Sequence, residues 1–355
     1  MDARFVLYLA QPCTGRLHEM LLPALSGYHY RVIRGANQLS ECAGARILFA
    51  VQLDDAGLSP GLYELLHWLR THPNGLAGSL VGFAIDSPCD LYSKAVGREL
   101  ALAANRAGAT LPGHSLVEAI GSLANFTQRA RNAGTSLAEA YKLSLQNLAQ
   151  ILLDWRPVQN PHPHLVVIHA STRATSNTLD LWSVLKAQLP EAEIQEFCLR
   201  NGTLADCAGC SYPTCLHFGE QGSCFYGGVM VDEVYPALRT ADALVMLCPN
   251  YNDALSANLT AFINRLTALF RTSSFHQKQV FALVVSGYSG SDIVARQIVS
   301  ALSMNKGFIL PPDFALMITA NDQGSAMKLP DIQPRLRAYA ARMRLALGLL
   351  EEPAT

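Results

Sequence analysis

The sequence predicts a two-domain α/β protein built on doubly wound parallel sheets, and three observations carry that expectation. Short apolar, β-prone runs alternate with amphipathic helical stretches along the whole chain, the pattern of a mainly parallel sheet covered by helices. The stretch Arg156 to His164, RPVQNPHPH, holds three prolines and no apolar periodicity. Proline removes a backbone donor and disfavours helix in the residue before it, so this stretch reads as an interdomain linker. The chain has 355 residues, half of them apolar and 15% charged, which makes two sizeable cores feasible. The expected domains are 1–157 and 158–355.

Before the linker, strands are expected over Phe5–Ala10, Tyr30–Arg34, Ala45–Leu53 and Leu80–Ile85. Helices are expected over Leu17–Leu25, Pro60–Thr71, Cys89–Ala107 and Leu137–Asp154. The last of these places Leu137, Tyr141, Leu145, Leu148 and Leu152 on or near one face. After the linker the rhythm is cleaner. Strands His164–Ala170, Ala192–Leu199, Ala243–Cys248, Val280–Ser286 and Phe314–Thr319 alternate with helices Asn177–Leu189, Val229–Ala241, Ser256–Phe270, Asp292–Lys306 and Ile332–Leu350. Five-stranded doubly wound sheets bind ligands at the carboxyl ends of their strands, at the topological switch point. Functional residues are therefore expected just after the first, third and fourth strands of this half.

The formal net charge is −1, so no basic field attracts nucleic acid or anionic lipid. No apolar run approaches the roughly 18–20 residues of a membrane span. The opening MDARFVLYLAQPC has too short an apolar run, and no small-residue cleavage site, to be a secretory signal; it reads as a first strand. The expected location is cytoplasmic, where thiols stay reduced. Nine cysteines must then be explained without disulfides. Five are scattered, at Cys13, Cys42, Cys89, Cys198 and Cys248, and four are concentrated between Cys207 and Cys224.

Three loops fall where the topology calls for a site. The first is STRATSNT, Ser171 to Thr178, in which five hydroxyls, Arg173 and Asn177 crowd a strand-to-helix turn. A helix N-terminus carries unpaired N–H groups and partial positive charge, which suits a phosphate. Hydroxyls and a bidentate arginine add donors. No glycine is present, so neither the dinucleotide fingerprint nor the P-loop applies, and a monophosphate is the better fit. The bland alternative is an ordinary helix capped by Ser or Thr. The second loop, LCPNYND, offers Pro249, Asn250, Tyr251 and Asn252 to a flat heteroaromatic ligand, or is a plain turn. In the third, SGYSGSD, Gly287 and Gly290 flank Tyr288 and permit close backbone approach, or simply make a loop.

Taken in order, these motifs resemble the NADPH-dependent FMN reductase and iron–sulfur flavoprotein group of flavodoxin-like proteins. The likeness runs from about His164 to Ala320. It includes the phosphate loop, a Cys-rich loop after the second strand, the run MVDEVYPALRTADALVMLCPNY, and the helix ANLTAFINRL. That helix usually reads with Lys, Phe, Asp and Arg; here Thr260 and Asn264 replace the Lys and Asp, while Phe262 and Arg265 remain. Ala170 stands where the family usually has Gly. The resemblance implies a five-stranded flavodoxin-like domain, and the same α/β rhythm in the first half points to a second, degenerate one before it. It implies FMN, with Ser171, Arg173, Ser176, Asn177 and Thr178 on its phosphate. Pro249, Asn250, Tyr251 and Asn252 would lie along the isoalloxazine, with Ser286, Gly287 and Tyr288 on its other side. NAD(P)H is the implied co-substrate, and a homodimer the implied assembly unless the N-terminal half replaces a second subunit.

The cysteines are spaced Cys207-x2-Cys210-x4-Cys215-x8-Cys224. A Cys-x2-Cys pair can bring two thiolates to one metal or cluster. A [4Fe–4S] cluster needs four such ligands, and some relatives carry one in this loop. Structural zinc also takes four cysteines but usually from two Cys-x2-Cys knuckles, and only one is present. Unliganded thiols are the third reading. In the N-terminal half the first turn, QPCTGRLHE, lacks the hydroxyl-rich loop. Asn105 to Phe126 reads as a structural connection or a binding loop, with His114, Lys94 and Arg98 as anion-attracting candidates. Three functions follow: an FMN oxidoreductase passing electrons from NAD(P)H to a cluster, small acceptor or protein; a non-enzymatic electron carrier; and a scaffold with a zinc-stapled loop. No catalytic acid–base set is expected, because cofactors would carry the chemistry.

Overall fold

The first sheet grows from FVLYL. Strand β1, Phe5–Leu9, is buried along its whole length, as a central strand covered on both faces must be. The computed structural model describes residues 5–172, 175–200, 202 and 204–349. Packing divides the chain into two units, Met1–Arg156 and Pro157–Thr355.

In the first unit β1 is followed by α1 (Arg16–Ala24), β2 (Arg31–Ile33), β3 (Arg46–Gln52), α2 (Pro60–Thr71), β4 (Leu80–Asp86), α3 (Ser93–Arg106), β5 (Leu116–Ala119), α4 (Thr127–Ala133) and α5 (Leu137–Asp154). The strands pair in parallel in the order β2-β1-β3-β4-β5. The second unit runs β6 (His164–His169), α6 (Asn177–Lys186), β7 (Glu193–Cys198), α7 (Tyr212–Glu220), α8 (Tyr235–Thr240), β8 (Ala243–Pro249), α9 (Ala257–Phe270), β9 (Gln279–Ser286), α10 (Ser291–Ile298), β10 (Ala315–Thr319) and α11 (Ile332–Ala346). A π-helical turn, Met230–Val234, leads into α8, and another, Val299–Met304, extends α10. Its sheet is also all parallel, in the order β10-β9-β8-β6-β7.

Counted within each unit, both sheets have the order 2-1-3-4-5, the flavodoxin-like arrangement. Each unit closes its own apolar core. Leu7, Leu48, Tyr141 and Leu148 are buried together in the first, and Val167, Trp182, Leu283 and Tyr339 in the second. None of the described helices is long and apolar enough to cross a membrane.

Helices α2 and α5 coincide with their expected limits because each opens on a strong signal. Ser59 accepts a hydrogen bond from Leu62 N and Ser136 accepts one from Glu139 N, each an N-cap. Three departures have physical causes. The stretch Asn105 to Phe126 contains the edge strand β5, whose four residues are too few to show a period in sequence. Helix α3 starts four residues later than expected, after the Ser87–Leu91 turn, with Tyr92 at φ 74° before its first residue. The Cys-rich loop contains α7, capped by Ser211 with Pro213 in its first turn; the neighbouring glycines masked that signal.

Tyr339 ties α11 to the sheet. Its fully buried hydroxyl lies 2.6 Å from the carbonyl of Phe314 and 3.1 Å from that of Ala282, and burial pushes its phenol pKa up. Tyr339→Phe keeps the ring but strips this bond, and chemical denaturation should show a loss of about 1–3 kcal/mol.

Candidate functional site

In the second unit, neighbours β7 and β8 lie on opposite sides of β6, and the chain leaves the sheet in opposite directions after β6 and β8. A crevice opens between the two exits. A cavity of about 720 Å³ occupies it, lined by residues 170–172 and 175–178 after β6, 249–253 after β8, 285 and 287–289 after β9, and 320–321 after β10.

The wall after β6 is a helix N-terminus. Ser176 caps α6, its Oγ accepting from Leu179 N at 3.3 Å. Its Oγ also lies 2.8 Å from Thr178 Oγ1, and Thr172 Oγ1 lies 3.1 Å from Thr175 Oγ1. Hydroxyls that trade bonds among themselves can re-aim their protons at an anion, and the helix end supplies N–H groups and dipole. Asn177 also lines the cavity, but its side chain has structural work. Its Nδ2 donates to Asp322 O at 2.9 Å and its Oδ1 accepts from Ala326 N at 3.3 Å. It clamps the loop after β10 onto the start of α6. Arg173 lies outside the described residues.

The wall after β8 is a tight hairpin. Tyr251 bridges Ala254, and Asn252 and Asp253 between them both have positive φ, 55° and 56°. This is the two-residue turn that Asn and Asp tolerate better than other side chains. Asn250 fastens this hairpin to the loop after β9. Its Nδ2 lies 3.2 Å from Asp253 Oδ1, 3.0 Å from Ser286 Oγ and 3.1 Å from Ser289 O. Its Oδ1 is buried without a hydrogen-bond partner. A buried acceptor of that kind calls for a donor, and a ligand N–H or O–H in the cavity would supply one. Tyr251 and Tyr288 stand 59% and 82% exposed at the rim, so two aromatic rings lie open to a planar ligand.

Of the expected cofactor-binding residues, Ser171, Ser176, Asn177, Thr178, Pro249, Asn250, Tyr251, Asn252, Gly287 and Tyr288 line this one cavity. Ser286 does not: it is fully buried behind the wall, bonded to Asn250 and 2.7 Å from Ser291 Oγ. The sequence reading missed Thr172, Thr175, Asp253, Ser289 and Asn321. Asn321 follows the last strand of the sheet, and that position was its available signal. It also explains Gly287, where a Cβ would lie 2.8 Å from Asn321 Oδ1. Among the described lining residues Asp253 is the only carboxylate, and there is no cation.

The equivalent helix start in the first unit carries a cation. Arg16 sits at the start of α1, where no side chain caps the helix. Its Nε and Nη2 donate to the two carboxylate oxygens of Asp86 at 3.0 and 2.9 Å. The remaining N–H groups reach the carbonyls of Ser87, Ile120 and Gly121 at 3.0–3.1 Å. The guanidinium is thereby locked onto the ends of β4 and β5. Lys94 pairs with Glu118 at 3.6 Å.

All nine cysteines are free thiols. Cys248, inside β8, has its pKa raised by burial. Cys207, Cys210, Cys215 and Cys224 together line a second cavity, of about 240 Å³, with Phe218, Phe225, Tyr226 and Arg265. They line its walls without converging: among the described residues no three His, Cys, Asp or Glu side chains come together as a set that could hold a metal ion.

Residues 163–322 match the family described as NADPH-dependent FMN reductase. The match covers just under half of the chain and lies within the second unit. Among solved structures, the chain is similar to an NAD(P)H:quinone oxidoreductase from Methanothermobacter marburgensis (17% identity, 54% of this chain and 100% of that one, TM-score 0.38). It is also similar to the apo form of an NADH:FMN oxidoreductase (18%, 54% and 92%, TM-score 0.37). A third likeness is to a WrbA-like flavodoxin from Agrobacterium tumefaciens (16%, 52% and 97%, TM-score 0.34). No curated protein matches the chain.

The contrast between the two helix N-termini predicts one FMN per chain. Phosphate and flavin analysis of FMN-saturated protein should give a ratio near one; a ratio near two would mean that Arg16 yields its place.

Proposed function

We propose that this chain, whose C-terminal unit is of the NADPH-dependent FMN reductase type, oxidises NAD(P)H through FMN bound in the large cavity and passes the electrons to a thiolate-ligated cluster. The observation that carries the first part is the convergence of a hydroxyl-rich helix N-terminus, an orphaned Asn250 Oδ1 and two open tyrosine rings on one cavity at the switch point.

In this reading Ser171, Arg173, Ser176 and Thr178 hold the phosphate with side chains and amides. Asn177 contributes its amide while its side chain keeps the 322–326 loop in place. Pro249–Asn252 and Gly287–Tyr288 would hold the isoalloxazine. Ser286 supports this wall through Asn250. FMN, when bound, would supply hydride acceptance from NAD(P)H and release of electrons singly or in pairs. The protein positions the two partners and leaves one face open. No side chain need act as acid or base. The cytoplasm, where thiols stay reduced, is the proposed setting.

The four cysteines, Cys207, Cys210, Cys215 and Cys224, are the proposed cluster ligands. Their donor set is all thiol, as a [4Fe–4S] centre takes. The cluster, when bound, would accept electrons one at a time.

Anaerobic addition of NADH or NADPH should bleach the flavin absorbance; retention of the band with both would leave only an electron carrier. Iron and sulfide analysis of anaerobically purified protein should find both, and Cys210→Ala should lose them. Asn250→Asp should weaken FMN binding at least tenfold by fluorescence titration. It replaces the donor facing Asp253 and Ser289 O with a second carboxylate, and a charged hydrogen-bond mismatch costs about 1.5–3 kcal/mol.

A further inference from the structure

Arg265 is the least expected residue of the cysteine cavity. It lies on α9, is 2% exposed, and lines the same wall as the four thiols. Its Nη2 donates to Gly227 O at 2.7 Å and its Nη1 to Ala205 O at 3.4 Å. Those two carbonyls stand at the two ends of the cysteine segment, so one guanidinium closes the loop. Its Cζ lies 5.9 Å from the ring centroid of Tyr226, whose hydroxyl is 4.0 Å from Cys210 Sγ. All these partners are neutral. Its Nε is buried with no hydrogen-bond partner at all, and among the described residues no carboxylate pairs with it.

A buried cation with only neutral partners and an unused N–H is costly unless an anion completes its surroundings. Four thiols are what the cavity offers around it. A group bound through four thiolates carries net negative charge. From this we infer that Arg265 is a positioning and charge-compensating residue. It holds both ends of the cysteine loop together and gives the cavity a positive wall that accepts an anionic, thiolate-bound inorganic group. This rests on the reading of the four cysteines as ligands. It adds the residue that decides what charge their product can carry.

The test uses the full chain with iron removed, so that it does not depend on a cluster. The cavity thiols are alkylated in parallel with iodoacetate, an anion, and with iodoacetamide, its neutral analogue, and each cysteine is followed by peptide mass spectrometry. The ratio of the two rates at one thiol cancels that thiol's own reactivity and reports the local charge. In the wild-type protein the ratio at Cys210, Cys215 and Cys224 should exceed that of free 2-mercaptoethanol several-fold. Arg265→Gln should lower it at least twofold at Cys210 and Cys224, with Arg271 in the same wall and Lys306 near Cys215 keeping part of the excess there, and Arg265→Lys should keep most of it. Loosening of the loop alone would speed both reagents and leave the ratio unchanged. A wild-type ratio equal to that of the free thiol, which needs no variant to fold, would overturn the inference, as would a ratio unmoved by Arg265→Gln. Iron and sulfide content of the native protein is read separately. Its absence alongside a raised ratio would sink the cluster and leave the charged wall standing.

Discussion

The constraint on which the rest depends is the reversal of chain direction between β6 and β8. Because the strands adjoining β6 lie on its two opposite sides, successive helices leave for opposite faces of the sheet. The carboxyl ends of the strands are left uncovered there. The loops after β6, β8, β9 and β10 all reach that one gap. A ligand site at this corner is a property of the topology; what the site binds is decided by a handful of side chains placed on it.

The two units show how few side chains that takes. Their strand orders are the same, yet their first helices begin on different chemistry. At the start of α6 Ser176 caps the helix and leaves hydroxyls and amides for an anion. At the start of α1 the first helical residue is Arg16, whose guanidinium is spent on Asp86 and three carbonyls. A cation at a helix N-terminus is unfavourable with respect to the dipole. It persists because Asp86, almost wholly buried, would otherwise be an unpaired charge in the interior. The pair and the carbonyl bonds beside it tie the start of α1 to the ends of β4 and β5.

Most of the fold and most of the large site were legible in the sequence because they rest on local signals. Buried parallel strands show as apolar runs, and Ser caps mark helix starts at Pro60, Leu137 and Asn177. The order of the loops then followed from topology. What was not legible depends on contacts distant in sequence. Ser286 looked like a wall residue, but its hydroxyl turns inward to Asn250, 36 residues away. Asn177 looked like a phosphate ligand, but its side chain is taken by a loop 145 residues on. Asn321 carries no motif at all. Strand β5 and helix α7 were hidden by shortness and by neighbouring glycines. In the cysteine loop, spacing singled out four thiols, but only the fold shows that they share a cavity with Arg265.

Helix α9 connects the two candidate sites. It starts immediately after the hairpin that forms one wall of the large cavity, at Ala257, and it carries Arg265 two turns later. At 1.5 Å per residue, that places the guanidinium-bearing residue about 12 Å along the axis from the helix start. Asn258 on the same helix donates to Leu199 O, at the end of β7, and Asn264 donates to Asp206 Oδ1 beside Cys207. One rigid element therefore fixes the ring-facing hairpin at one end and the cysteine loop at the other. The family pattern usually has Lys and Asp where this helix has Thr260 and Asn264. The substitutions leave Arg265 as the charge on its inward face. One helix thus runs from the hairpin beside the large cavity to the thiol-lined cavity and carries a buried arginine into the wall of the second.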